Sequence, residues 1–580
     1  MKSLLPLKKY FFRYKNRLLL GFLFILVSDA AQVMIPLFMK NGIDSLRVET
    51  TSENLIKYAL LIVGAAFVAG VFRFLIRETI IVVSRKIEFD LRQDFWIHLQ
   101  SLSYKFYQNN STGDLMAHAT NDISAVRMFL GPAVMYSVDT FIKMVFIITI
   151  IFSLNYKLAI YALLPLPLLS FFVYRLSKKI NVLFTRIQEK FAELTTKVQE
   201  SISGIRVVKS YVRQENEINE FTKLSNDYLH KSMDKVRVQA LFMPILFLIS
   251  GISIIIVIWL GGDMVIEGIM TIGGLAAFIA YLVNLIWPMI ASGWVMNIIQ
   301  QSSASMKRLN KIMEQTSDIE ELSVVEDSQP IKGEIEFRNV SFRYNEEFPF
   351  VLKDINLKIK QGTTIAIIGK TGEGKTSLIN LITRLYDVTE GKILIDGKDV
   401  KNIPLKKLRQ AIGVVPQETF LFSDTLKNNI LYGIKENDGL LEKVASISRI
   451  DKDVYHFPRK YDTILGEGGI TLSGGQKQRT CLARALAINP QILILDDTFS
   501  AVDTNTEEEI LNNLNDYMKN RTNIIISHRI STVKNANRIY VLEKGKIVEE
   551  GKHAELIDKN GIYADIYKKQ LLEEELAGLN

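Results

Sequence analysis

The sequence predicts a chain in two parts, an all-α membrane domain of six transmembrane helices with long cytoplasmic extensions, followed by an α/β domain. Three observations predict it. The 580 residues are 48% hydrophobic, with mean hydropathy +0.15, yet 23% are charged, so part of the chain suits a bilayer and part suits water. Every apolar run long enough to cross a membrane lies before residue 300. After Gly333, strand patterns alternate with helical ones: "EIEFRNVSFRY", "DINLKI", "TTIAIIG", then "KTSLINLITRLY", the alternation expected of an α/β domain.

A helix crosses the roughly 30 Å hydrocarbon core with about 20 residues. Six runs meet that length: Leu18 to Met39, Tyr58 to Ile76, Pro132 to Ser153, Leu158 to Tyr174, Leu241 to Leu260 and Ile272 to Met296. The first lacks the small-residue cleavage pattern of a signal peptide, and five spans follow it. Before it stand Lys2, Lys8, Lys9, Arg13, Lys15 and Arg17 with no acid, whereas "GGDMVIEG" between spans five and six has only acids. The N-terminus is therefore expected in the cytoplasm. The loops after spans two and four are long and basic, and "SLNY" between spans three and four is minimal. Both long loops, and everything after span six, then face the cytoplasm. Much of the second loop, Arg175 to Phe221, has apolar residues at helical spacing and no proline, so spanning helices are expected to continue beyond the bilayer. Breaks at "YQNNSTGD" (107–114) and "SISGIR" (201–206) let the chain turn.

Charge within hydrocarbon is costly, so Asp29, Gln32, Arg73, Asp139 and Lys143 stand out inside the spans. Asp139 and Lys143 are four apart on one helical face and are expected to pair. Asp29 either faces a cavity or pairs with a neighbouring helix. The net charge of +8 is ascribed to residues flanking the spans rather than to a nucleic-acid partner. Cys481, the lone cysteine, is expected to be a packed thiol.

The boundaries follow as 1–315 for the membrane domain, 316–332 for an acid-rich linker that includes Pro330, and 333–580 for the second domain. That domain contains Gly369, Lys370, Thr371, Gly372, Glu373, Gly374, Lys375 and Thr376, then Ser377, matching G-x-x-x-x-G-K-[ST] between a strand and a helix. This is the context of a phosphate-binding loop. Its backbone N–H groups approach phosphates, Lys375 reaches the β/γ-phosphates, and Thr376 offers a hydroxyl to Mg²⁺. Downstream, "ILILDD" ends an apolar strand at Asp496 and Asp497. Asp496 is placed to hold the metal opposite Thr376, and the second domain is read as an α/β P-loop ATPase.

With these motifs in this order, and "LSGGQKQR" at 472–479, the sequence resembles the ATP-binding cassette family over essentially its whole length. The resemblance implies ATP and Mg²⁺ as cofactors. It assigns Ser473, Gly474, Gly475 and Gln476 to the signature motif, Gln417 in "VVPQET" to the Q-loop with a metal-binding role, and His528 in "IIISHR" to the switch histidine. "SAVD" at 500–503 becomes the D-loop, and Tyr344 the aromatic that stacks on adenine. "GEGG" at 466–469 has Gly468 where the family usually has Arg. Six spans before one cassette resemble an exporter half-transporter, whose coupling helices fall at the two breaks and whose ATP is sandwiched between two chains.

At Asp497 the family usually has Glu. Asp is shorter by about 1.5 Å, and an error near 1 Å can cost about a hundredfold in rate. The resemblance is then to the Asp-containing subunit of heterodimeric bacterial multidrug exporters, with Asp497 a weakened base beside His528 and Gln417. The implied function is ATP-driven export of amphipathic drugs or lipids across the inner membrane of a prokaryote, with a second half-transporter as partner. The alternatives are a homodimeric lipid flippase and an ATP-gated channel or regulator. A cavity-facing Asp29 would favour cationic amphiphiles.

Overall fold

The computed structural model describes residues 2–48, 52–319, 329–435, 438–469 and 472–578. It divides into two compact units, Met1–Ser101 with Ser111–Gln315, and Leu102–Asn110 with Thr316–Asn580. Most of the expected linker, residues 320–328, lies outside the described residues.

In the first unit, six helical stretches among the described residues are long and apolar enough to span: Lys15–Leu46, Ser52–Ser101, Thr112–Leu154, Tyr156–Ser203, Gln214–Ile266 and Ile272–Met313. They run for 32 to 53 residues, well beyond the need of a bilayer. Three π-helical turns interrupt them, at Arg77–Ile81, His118–Asp122 and Phe129–Ala133. The run expected to be continuous from Leu158 to Tyr174 is two helices, Tyr156–Leu163 and Leu166–Ser203. Pro165 sits at the junction, where a proline lacks an N–H and crowds the carbonyl four residues back.

Polar groups tie spans one and six. Asp44 accepts from Thr271 Oγ1 at 2.8 Å and from Gly273 N at 2.9 Å, placing a carboxylate at the start of helix Ile272–Met313, where free N–H groups favour it. A Cβ on Gly273 would lie 2.2 Å from Lys40 O, so only glycine permits this approach. Farther along, Tyr281 donates to Val33 O at 2.6 Å within the apolar packing.

Each break holds a short helix. Gly204 separates Leu166–Ser203 from Ile205–Ser210, and the returning helix Gln214–Ala240 is held by Lys197 Nζ, 3.0 Å from Glu217. The first break gives Tyr104–Asn109 and, capped by Ser111, Thr112–Ala117. Residues 102–110 cluster with the second unit. There Tyr386 donates its hydroxyl to Gln108, and the Tyr104 and Tyr386 rings meet edge-on at 5.9 Å.

The second unit contains a four-stranded antiparallel sheet and a six-stranded, mostly parallel one. The first has order β2 (Leu352–Ile359), β1 (Ile335–Phe342), β4 (Glu390–Ile395), β5 (Lys398–Asp399). The second has order β10 (Lys546–Gly551), β9 (Arg538–Glu543), β3 (Thr364–Ile368), β8 (Thr522–Ile526), β7 (Ile492–Asp496), β6 (Ile412–Val415). The unbroken apolar run of β7 has a direct cause. Ile492 and Ile494 enter the cluster on one face with Ile365 and Ile367 of β3, while Leu493 and Leu495 enter the other with Ala366 and Ile368. A strand buried on both faces has no solvent side on which to alternate. Full burial of each such side chain contributes roughly 1.5–3 kcal/mol.

Candidate functional site

The parallel strands β3, β6, β7 and β8 run in one direction, so their carboxyl ends open on one edge, where ligands of such sheets collect. The segments after those four ends line a cavity of about 850 Å³. β3 contributes the glycine-rich loop, β7 contributes Asp496 and Asp497, β8 contributes His528, and Gln417 follows β6. Tyr344 completes the wall.

The loop folds as its glycines require. Gly372 and Gly374 have φ of 89° and 98°, backbone that side chains other than glycine's resist, and helix Lys375–Ile382 starts immediately after. Lys375 Nζ donates to Gly369 O and Lys370 O, each at 2.7 Å. Burial holds this ammonium below the usual lysine range, opposed by Asp496, Asp497 and Glu373. Glu373 accepts from Lys544 N.

Thr376 Oγ1 donates to Asp496 Oδ2 at 3.0 Å, joining the loop to the end of β7. Asp496 is buried, and burial pushes its carboxyl above the usual range despite that hydrogen bond. A divalent cation would relieve that cost, and a hydroxyl facing a carboxylate is a hard oxygen set of the kind Mg²⁺ takes. Asp497 continues the ladder by donating its N–H to Ile526 O at 2.8 Å, but with φ of 47°, a conformation that Asp tolerates better than most residues. Its Oδ1 lies 2.8 Å from His528 Nδ1. Tyr344 is held by Ser377, hydroxyl to hydroxyl at 2.7 Å, and meets the Phe342 and Tyr386 rings edge-on.

Ser473, Gly474, Gly475 and Gln476 are not on this cavity's wall. They open helix Gly474–Ala487, with Ser473 as its cap in a reciprocal box: Gln476 N donates to Ser473 Oγ at 3.3 Å, and Ser473 N donates to Gln476 Oε1 at 2.9 Å. This leaves an ordered helix N-terminus, the geometry that suits an anion. Gln478, which the motif contains but the sequence reading left without a role, donates to Ser500 Oγ at 2.9 Å and accepts from Ala501 N at 3.0 Å. The stretch 500–503 is thus fastened to this helix. Gly468 has φ of 61°, backbone in which arginine would be strained.

In the membrane unit, Asp29 is completely buried and is not among the residues lining the cavity walled by Arg73, Asp139 and Lys143. It faces Lys143, whose Nζ is 3.4 Å from Asp29 and 3.5 Å from Asp139. The expected Asp139–Lys143 pair is therefore present, extended to a third member from span one. Arg73 Nη2 donates to Gln32 Oε1 at 3.5 Å. Arg77, which the sequence reading passed over because it follows the apolar run, sits one turn beyond Arg73 on the same helix face.

Residues 18–289 match the family model described as the ABC transporter transmembrane region, and residues 352–500 match the model described as ABC transporter. The chain is 36% identical, over 99% of its length and 98% of the relative's, to the "Probable multidrug resistance ABC transporter ATP-binding/permease protein YheI" of Bacillus subtilis. It is 35% identical, over 95% of its length and 92% of the relative's, to an "ATP-dependent lipid A-core flippase" of Syntrophus aciditrophicus. Among solved structures it resembles a bacterial Atm1-family ABC exporter with ATP bound, at TM-score 0.80 and 26% identity, covering 96% of this chain and 98% of that one.

Proposed function

Because this chain belongs to the ABC transporter family and is an exporter-type half-transporter with its own ATPase domain, we propose that it works as one half of a heterodimer whose nucleotide site on this chain is hydrolytically weak. ATP lies against Tyr344 and the loop from Gly369 to Ser377, and the partner's signature closes over it. Thr376 and Asp496, with Gln417, hold Mg²⁺, which when bound neutralises phosphate charge. Lys375 exchanges its two carbonyl contacts for phosphate oxygens. His528 orients the γ-phosphate, and Asp497 is the residue left to polarise water. Ser473 and the N–H groups behind it serve the partner's nucleotide.

The observation that carries this reading is Asp497 itself. Its short carboxylate has one oxygen 2.8 Å from His528, a contact that draws it toward the ring rather than out toward an attacking water. A second reading, a homodimeric lipid flippase, is favoured by the similarity to the lipid A-core flippase of Syntrophus aciditrophicus.

The cargo under either reading is amphipathic, moved outward from a cytoplasm that holds the N-terminus and the ATPase domain at the inner membrane of a prokaryote. The run of basic residues before span one supports that orientation. Steady-state ATPase of the chain purified alone tests the pairing. Turnover near background, rising when a Glu-containing partner is co-expressed, is expected; vigorous turnover by the chain alone would favour the homodimer. Vectorial uptake into proteoliposomes, with and without ATP, separates a pump from a channel.

A further inference from the structure

A cavity within the membrane unit, about 330 Å³ in volume, has three cations on its wall, Arg73, Arg77 and Lys143, against one carboxylate, Asp139. Lys143 is already committed, lying between Asp29 and Asp139 at 3.4 and 3.5 Å. The two arginines are not. Arg73 makes a long bond to Gln32 Oε1 and acts on Asp29 only at longer range, and neither arginine forms a close ion pair among the described residues. Spaced four residues apart, they project from one helix face, and the helix widens into a π-turn that begins at Arg77, a local form frequent at functional sites. Trp287, 59% exposed, supplies an apolar surface on the same wall.

We propose that this cavity binds the acidic head of an amphiphile, a phosphate, carboxylate or sulfonate joined to an apolar body, with the oxyanion on Arg73 and Arg77 and the body against Trp287. The proposal rests on the exporter reading and names its class of cargo. It reverses the cation preference expected from Asp29, because that carboxylate is buried behind the wall and turned to Lys143. Guanidinium groups are less strongly hydrated than ammonium and match an oxyanion through paired N–H donors. In a site of low dielectric, two cations without a close ion pair favour an anion and repel a cation. The acidic group belongs either to a bilayer lipid or to a water-soluble amphiphile.

The test uses the assembled transporter in phosphatidylcholine nanodiscs, with radiolabelled taurocholate as the anionic probe and tetraphenylphosphonium as the cationic one. Wild type is expected to bind taurocholate at least about tenfold more tightly, and Arg73→Gln with Arg77→Gln to lose about tenfold or more of that affinity, which is one good charge-assisted contact. Arg73→Lys with Arg77→Lys keeps the charge without the paired donors and is expected to fall between wild type and the Gln variant, separating loss of charge from loss of fold. Adding phosphatidylglycerol to the discs distinguishes the sources: displacement of taurocholate identifies a lipid head as a competing ligand, and no displacement identifies the soluble amphiphile. Equal binding of the two probes, or unchanged taurocholate affinity in the Gln variant, overturns the proposal. If tetraphenylphosphonium is pumped into proteoliposomes with ATP while taurocholate does not bind, the exporter reading stands and this inference falls. If taurocholate binds through the arginines but ATP moves neither probe into proteoliposomes, the inference stands and the exporter reading falls.

Discussion

His528 Nδ1 lies 2.8 Å from Asp497 Oδ1, across the carboxyl ends of neighbouring strands β8 and β7. Asp497 holds that position with a left-handed backbone, φ 47°. Lengthening the side chain by one methylene adds about 1.5 Å of reach, so Asp497→Glu should carry the carboxylate past the ring and toward the γ-phosphate. ATPase turnover at this site is expected to rise, by up to about a hundredfold if positioning alone limits it. Single-turnover hydrolysis by the variant and wild-type chains checks this; equal rates would place the limitation elsewhere.

Changes to the two ends of the nucleotide machinery should separate sharply in the assembled pair. If, as proposed, Asp497 is a weak base, Asp497→Asn should lower turnover less than about tenfold. Ser473→Arg destroys the reciprocal cap with Gln476 and, in the proposed pairing, puts a bulky cation where ordered N–H groups would meet the nucleotide held by the other chain. Removing such an anion site costs on the order of a hundredfold or more. Steady-state ATPase of both variants decides it, and a more damaging Asp497→Asn would reverse the assignment of the weak site.

Lys143→Leu should destabilise the membrane unit strongly. It leaves the fully buried carboxylate of Asp29 without its close cation, and breaking a buried pair costs about 3–5 kcal/mol. Adding Asp29→Asn and Asp139→Asn removes the orphaned charges and should recover much of the loss. Thermal denaturation in detergent measures both steps; if Lys143→Leu melts like the wild type, water already solvates Asp29.

Cys481 should resist alkylation in the folded chain. The thiol is buried among apolar side chains, and burial pushes its pKa up, while the reactive species is the thiolate. The sign follows from the folded pKa lying above the unfolded one. As pH rises, the unfolded chain releases this proton first, so the contribution to stability is present below the unfolded thiol pKa, about 8.5, and is lost as pH rises through the folded value. Maleimide labelling followed by mass should stay slow until the cassette unfolds, and fast labelling of native protein would show an accessible thiol.

Much of the nucleotide cavity was legible because its residues are bound to backbone punctuation. The glycines after β3 and the two acids after β7 mark the chain leaving buried strands, and in a parallel sheet all such exits share one edge. The six spans were legible from length and hydropathy alone. What escaped was direction around a helix. Span one is apolar on nearly every side, so its sequence contains no sign of which face Asp29 takes, and only packing against Lys143 decides that. Arg77 escaped because a hydropathy run that ends at Ile76 hides a residue one turn farther along the same face. Pro165 also escaped as a breaker: the apolar run continues through it, and prolines lie inside helices at Pro36 and Pro288, since a bilayer leaves a helix few alternatives.

The short helix Tyr104–Asn109 belongs to the second unit, although the chain on both sides of it belongs to the first. The polypeptide thus enters the nucleotide-binding body twice, once as a nine-residue stitch and once for good after Gln315. A cassette cut out at residue 316 would be missing part of its own surface, with Tyr386 left bare where Tyr104 and Gln108 had covered it. In mechanical terms, any load on Ser101 or Ser111 is applied to the cassette through covalent bonds.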